Sequence, residues 1–248
     1  GSHNGRFGLA GSSRITPVEA AQYMGLCNLL MVTFADRPAP PYDQHLLAMR
    51  PLRRVVWSIV GDSSSRRHDQ HSDVELVAAL ARKFPNLAGG IMDDFFLPPE
   101  AGRGPARYAV DAVRQFRETL HGAARPLDLW VVVYAHQLGW PVREHLAACD
   151  AVTFWTWEAK DLAALEENFL RLEALAPGLR KLLGCYMWDY GAHRAMPLQL
   201  LKFQCETGRR WIQEGRLDGL IFLAGNLCDL ELETVEWVRE WIAGGENT

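Results

Sequence analysis

One pattern constrains this chain more than any other. Short, nearly continuous apolar runs rich in β-branched and aromatic residues alternate with amphipathic runs of helical period along its whole length. The apolar runs predict strands at Arg6–Ala10, Asn28–Ala35, Arg54–Val60, Leu87–Phe96, Leu127–Ala135, Ala151–Trp157, Lys181–Trp188 and Gly219–Ala224. Strands without polar alternation are covered on both faces, as in a parallel sheet flanked by helices. The helix starts are equally readable. In Thr16-Pro17-Val18-Glu19 the threonine suits the N-cap, proline suits the first turn and Glu19 can reach back to the cap. Ser72-Asp73-Val74-Glu75 repeats the pattern ahead of a helix that stops near Phe84-Pro85. Further helices are predicted over Tyr42–Met49, Arg107–Leu120, Val142–Ala148, Asp161–Leu175, Leu198–Glu214 and Leu232–Ile242.

The tally closes at roughly eight strand–helix units in about 250 residues, the size of a closed barrel. The expected fold class is therefore α/β, a single closed (β/α)8 TIM barrel over residues 6–243, with tails at 1–5 and 244–248. An open doubly wound sheet is the alternative, but its GxGxxG turn after the first strand is missing. Gly1-Ser2-His3 reads as a tag remnant. A periplasmic or secreted location is expected if an export signal preceded it, and a cytoplasmic one otherwise.

Composition removes several function classes. The 26 basic and 30 acidic residues leave a net charge of −4 without a basic stripe, so no nucleic-acid partner is expected. No apolar stretch approaches the roughly 20 residues of a membrane span. The five cysteines are scattered without a CxxC, which predicts buried free thiols, no zinc site and no disulfide framework. None of the four lysines falls in the inward C-terminal half of a predicted strand, against Schiff-base chemistry. Neither a multi-histidine metal set, a glycine-rich phosphate cradle nor GxSxG is present. No cofactor and no metal are expected, and carboxylate acid–base chemistry remains.

In a barrel of this type chemistry lies at the C-terminal ends of the strands. That places Asp36, Asp62, Asp93, Asp94, Tyr134, His136, Gln137, Trp155, Trp157, Glu158, Tyr186, Trp188, Asp189, Asn226 and Asp229 around one acidic, aromatic mouth. Asp93-Asp94 stands out because it lies between Gly89-Gly90-Ile91-Met92 and Phe95-Phe96. Apolar neighbours and an adjacent like charge both favour the protonated acid. Alternation along a strand lets only one of the pair enter the pocket, and Asp94 is expected to be that one, braced by Asp93. The catalytic set is then Asp94 and Asp93 with Asp189 or Glu158 as partner. Aromatic faces at Trp155, Trp157, Trp188, Tyr134 and Tyr186 suit the C–H faces of sugars, and His136, Gln137, Asp62 and Asn226 suit their hydroxyls. Trp211, Trp237 and Trp241 fall on helical periodicities and read as packing. The polar run from Asp62 to His71 is expected to form a mobile rim.

Gly90-Ile91-Met92-Asp93-Asp94-Phe95 resembles the acid segment on the fourth strand of several (β/α)8 glycoside hydrolases. Phe154-Trp155-Thr156-Trp157 and Gly184-Cys185-Tyr186-Met187-Trp188-Asp189-Tyr190-Gly191 are similar to runs in uncharacterised bacterial barrel proteins treated as glycoside-hydrolase-like. The resemblance implies a carbohydrate ligand and hydrolysis by carboxylates. The Asp-x-Asp-x-Glu alternation of chitinases is absent, with Phe96 where its last acid would stand, as is the Asn-Glu pair of the cellulase-like clan. Two other readings fit the same residues. One is a metal-assisted isomerase, lyase or hydrolase using Asp62, Asp94, His136 and Asp189, and the other is a carbohydrate-binding barrel without turnover.

Overall fold

The computed structural model describes residues 5–100 and 104–245. The tag-like Gly1-Ser2-His3 and the last three residues of the expected C-terminal tail lie outside the described residues. Nine strands occur among them: β1 (Asn28–Met31), β2 (Arg54–Val60), β3 (Leu87–Met92), β4 (Asp128–Tyr134), β5 (Ala151–Trp155), β6 (Arg180–Tyr186), β7 (Trp188–Asp189), β8 (Arg194–Ala195) and β9 (Gly219–Leu223). The helices are α1 (Pro17–Tyr23), α2 (Asp43–Ala48), α3 (Val74–Leu80), α4 (Val110–His121), α5 (Arg143–Ala147), α6 (Leu165–Leu175), α7 (Leu198–Gln213) and α8 (Glu233–Gly245). The fold is α/β, with a seven-stranded sheet in the order β1-β2-β3-β4-β5-β6-β9. β7 and β8 form a separate antiparallel ribbon.

The count is one strand short of the predicted barrel. Arg6–Ala10 forms no strand, because Gly8 and Gly11 take left-handed φ values of 77° and 98°. The Phe7 carbonyl accepts a bond from the Trp188 indole instead.

The chain packs as two compact units. One, here the sheet unit, is Asn28–Phe154 with Phe169–Lys181; the other, the terminal unit, is Gly1–Cys27, Trp155–Asn168 and Leu182–Thr248. In the sheet unit β1, β2, β3 and β4 pair in parallel. All of β2 after Arg54 is buried, whereas β1 is only half-buried. Two glycines define the faces of β3. A Cβ on Gly90 would meet Leu120 of α4 at 3.1 Å, whereas one on Gly89 would meet the Asp128 carbonyl at 2.7 Å and Trp130 Nε1 at 3.2 Å. Gly90 therefore faces the helices, and the alternation carries Gly89, Ile91 and the following Asp93 onto the opposite face.

In the terminal unit β6 and β9 pair from Leu182–Gly219 to Tyr186–Leu223. Gly208 lets α7 approach Leu183 and Leu220, where a Cβ would come within 3.2 and 2.5 Å. The α1 start has the reciprocal bonds predicted for it: Glu19 N–H donates to Thr16 Oγ1 at 3.3 Å and Thr16 N–H to Glu19 Oε2 at 2.8 Å. At α3 the outcome differs. Asp73 occupies the N-cap but makes no capping bond, because its carboxylate is held by Tyr42, Arg67 and His68. Four cysteines are buried free thiols as expected, and Cys27 is free but exposed.

Candidate functional site

β3 ends in the sheet unit at Met92, and the two aspartates that follow behave differently. Asp93 continues the face opposite the helices, its N–H donating to the Val60 carbonyl at 2.9 Å. Burial raises its carboxyl well above the usual range, and the charges of Asp94 and Asp62 add to the effect. The Asp94 N–H, which donates to Asp93 Oδ1 at 3.0 Å, and the positive Arg107 act the other way. Asp94 leaves the strand with φ of 40°, a conformation uncommon outside glycine. Its Oδ1 accepts from the Tyr134 hydroxyl at 2.9 Å and its Oδ2 from the Ser63 N–H at 3.0 Å. Burial thus acts on the Asp93 carboxyl, while Asp94, the residue expected to enter the pocket, is held by two donors.

Tyr134 closes β4 and stacks on His136 at 5.6 Å and 12°. His136 also meets Trp140 edge-on at 5.5 Å. Loss of water around its ring lowers its pKa, opposed by the charge of Asp94, so a neutral imidazole is favoured there. Gln137 does not join this rim. It is buried, and its Oε1 accepts the Tyr134 N–H at 3.0 Å.

The run from Asp62 to His71, expected to be a mobile rim, is fastened at many points. Asp62 is buried and accepts from Ala35 N–H, Ser64 Oγ and Ser65 Oγ at 3.1, 2.6 and 2.7 Å. Those bonds occupy the oxygens assigned to hydroxyl recognition or to a metal. His68 is fully buried, its Nδ1 accepting the Gly61 N–H at 2.8 Å, which leaves Nε2 to donate to Asp73 at 2.8 Å. Arg107 donates to the carbonyls of Gly61 and Ser65 and to Asp69 at 2.6, 3.2 and 2.9 Å. Asp36, also expected at the mouth, accepts the Arg67 N–H at 3.1 Å. Polar composition suggested a loose loop, but the polar groups satisfy one another and the backbone, so the loop is pinned.

The remaining expected residues belong to the terminal unit. Trp155 is 5% exposed and lies flat on Gly184, where a Cβ would fall 2.0 Å from its ring. It also packs against buried Tyr186 at 4.9 Å. Trp188 is buried and donates from Nε1 to the Phe7 carbonyl at 2.9 Å. β5 stops at Trp155, so Trp157 does not share a strand face with it, and Trp157 stays 36% exposed. Asp189 is buried, with Oδ1 accepting from the N–H groups of Ala159 and Ala192 at 3.2 Å each and Oδ2 facing Arg194 at 3.5 Å. It staples two loops. Glu158 pairs with Lys160 at 2.7 Å. Asn226 sits half-buried in the short turn Gly225–Leu227. Nearby Asp229 Oδ2 accepts the N–H groups of Arg14 and Ile15 at 2.7 and 3.2 Å.

The structure therefore brings together Asp93, Asp94, Tyr134 and His136 in one unit, and Trp155, Trp157, Tyr186, Trp188, Glu158 and Asp189 in the other. Sequence reasoning missed Arg107 and the Ser63 N–H, because the arginine reads as the first residue of an amphipathic helix and a backbone donor has no sequence signature. Among the described residues no group of three or more His, Cys, Asp or Glu is placed to hold a metal ion. No described helix is long and apolar enough to cross a membrane.

Comparison with known proteins gives likeness of fold. No family model and no curated protein sequence matches the chain. Among solved structures it is similar to a glycoside hydrolase family 17 β-1,3-glucanosyltransferase from Rhizomucor miehei, at 10% identity and a TM-score of 0.52, covering 85% of this chain and 81% of that one. A tryptophan synthase structure from M. tuberculosis follows at 14% identity and a TM-score of 0.48, with 89% and 80% covered. At such identity the first likeness shows a barrel-like α/β fold alone, and that fold hosts many chemistries.

Proposed function

We propose that this chain is a glycoside-hydrolase-like enzyme of barrel type that cleaves a carbohydrate with carboxylates at the C-terminal ends of its strands. The observation that carries the reading is the asymmetry of Asp93 and Asp94. Loss of water raises the carboxyl pKa of one acid well above its usual value, and its neighbour is supplied with two hydrogen-bond donors suited to a carboxylate. A glycosidic oxygen leaves only when protonated, and the oxocarbenium-like centre that develops is stabilised by a nearby negative charge. In this scheme Asp93 delivers its proton to the leaving oxygen as the glycosidic C–O bond breaks, water adds to the anomeric carbon, and the ionised Asp93 takes up the water's proton. Asp94 is the charged neighbour, and its charge adds to the upward shift of the Asp93 pKa. Tyr134 and the Ser63 N–H fix Asp94, while the neutral His136 is available to sugar hydroxyls. Backbone donors, Arg194 and Lys160 engage the oxygens of Asp189 and Glu158, so neither acts on the substrate in this scheme.

The test is hydrolysis of a panel of aryl glycosides and short oligosaccharides by the parent chain, Asp93→Asn and Asp94→Asn. Both variants should lose at least about 100-fold in kcat on whichever substrate the parent cleaves, as expected for removal of an acid–base group. Full activity in either variant would remove that residue from the mechanism.

A further inference from the structure

Phe7 belongs to the segment expected to be the first strand, and its ring occupies an aromatic box in the terminal unit. Its centroid lies 5.2 Å from Tyr190 at 84°, 6.3 Å from Trp157 at 76° and 5.4 Å from His193 at 74°, all edge-on. Tyr186 completes the box, 5.8 Å from Trp157 and 5.4 Å from Tyr190. The walls and the occupant are held in different ways. Tyr190 and His193 lie in the turn of the β7–β8 ribbon, which buried Asp189 fastens through the Ala159 and Ala192 N–H groups and Arg194. Met187, at the base of the ribbon, receives the Thr234 hydroxyl on its carbonyl at 2.7 Å.

The occupant sits on a short strap whose Leu9 side chain is buried. Gly5, Arg6, Gly8 and Ala10 around it are all exposed. The strap reaches the box through the Trp188 Nε1 bond to the Phe7 carbonyl and through Gly8, whose φ is 77°. A Cβ on Gly8 would fall 2.7 Å from the His193 carbonyl oxygen.

We propose that this box is a sugar-ring platform and that Phe7 is its built-in occupant, displaced when a pyranose ring enters. The inference rests on the carbohydrate reading given above. Trp157 and His193 carry it, because these two walls keep an exposed surface while Tyr186 and Tyr190 are buried. An edge-on phenyl ring presents C–H groups to aromatic faces as the axial face of a pyranose does. A site that must expel its own occupant binds with an apparent affinity reduced by the fraction of time it is open.

The experiment is calorimetric titration of the full chain, Phe7→Ala, Gly8→Ala and Phe7→Ala/Trp157→Ala with short oligosaccharides of glucose, galactose, mannose and N-acetylglucosamine. Phe7→Ala should bind its preferred sugar about tenfold more tightly than the parent, a gain that corresponds to a mostly closed strap. Gly8→Ala should show the same direction, since its Cβ collides with the His193 carbonyl and lifts the strap while Phe7 is retained. Removal of Trp157 should abolish the gain. Equal affinity of the parent and both strap variants overturns the proposal and leaves the carbohydrate reading intact. An absence of binding in every variant also overturns it, and turnover of the same panel by the parent then decides separately whether the carbohydrate reading falls with it. A Phe7→Ala chain that does not fold, together with a Gly8→Ala chain that folds and binds like the parent, identifies Phe7 as core packing and overturns it as well.

Discussion

Replacing Asp93 by Asn separates an acid held protonated for chemistry from one that serves structure. Asn retains an Oδ1 acceptor for the Asp94 N–H, now 3.0 Å from the carboxylate, so the geometry at the end of β3 can persist. The charge is what changes. In the parent, burial and the Asp94 charge raise the folded-state pKa well above the unfolded value of about 3.9. Below that unfolded value both states carry the proton, and the stabilisation linked to protonated Asp93 is fully present. Between the two pKa values the unfolded chain ionises while the folded chain does not, so the parent loses about 1.4 kcal/mol per pH unit. Above the folded value the loss is complete.

Asp93→Asn carries no such term. Urea denaturation of both proteins from acid to neutral pH should show a stability difference that starts near zero and opens in favour of Asn with that slope, then levels off. Hydrolysis by the variant should be lost over the same range. If Asn is instead less stable at neutral pH by more than about 1 kcal/mol, or the difference does not vary with pH, Asp93 is an ionised structural acceptor and the catalytic assignment is wrong.

Three further outcomes follow from contacts inside each unit. Asp73→Ala leaves buried His68 and Arg67 without their shared carboxylate and should cost about 3 to 5 kcal/mol in chemical denaturation at neutral pH. Burial alone would raise the Asp73 pKa, but His68, Arg67 and Tyr42 together hold it below the usual value. The stabilisation it gives is therefore present above the unfolded pKa and lost as pH falls through the folded one, and acid should narrow the gap between parent and variant. Trp155→Ala, which empties a fully enclosed site, should lower stability by about 3 to 5 kcal/mol, whereas exposed Trp157→Ala should leave the melting temperature nearly unchanged. Gly184→Ala should destabilise by at least about 1 to 3 kcal/mol in the same assay, since its Cβ falls inside the Trp155 ring; a melt equal to the parent's would show that the indole can move aside.

The sequence by itself determined the α/β class, six of the seven sheet strands to within a few residues at their C-terminal ends and β9 to within one, and the two-step helix start at Thr16. Each follows from local physics: apolar runs of strand length, helical periodicity and reciprocal caps are written in neighbouring residues. The same locality marked Asp93-Asp94, because two acids between glycines and phenylalanines are visible without a fold.

Which of the two acids is desolvated and which is held by donors was decided by tertiary structure, since it depends on the face fixed by Gly89 and Gly90 and on donors from Ser63 and Tyr134, some 30 and 40 residues away. The loop from Asp62 to His71 reads as loose because polarity in sequence does not reveal whether the polar groups bind water or one another. Arg107, 38 residues beyond Asp69, is the group that binds them. Arg6–Ala10 has the composition of a strand, and only the packed structure offers Phe7 an aromatic box and Trp188 a carbonyl. A short apolar segment with a glycine at its centre takes whichever long-range contacts bury its side chain, and those contacts are absent from its own sequence.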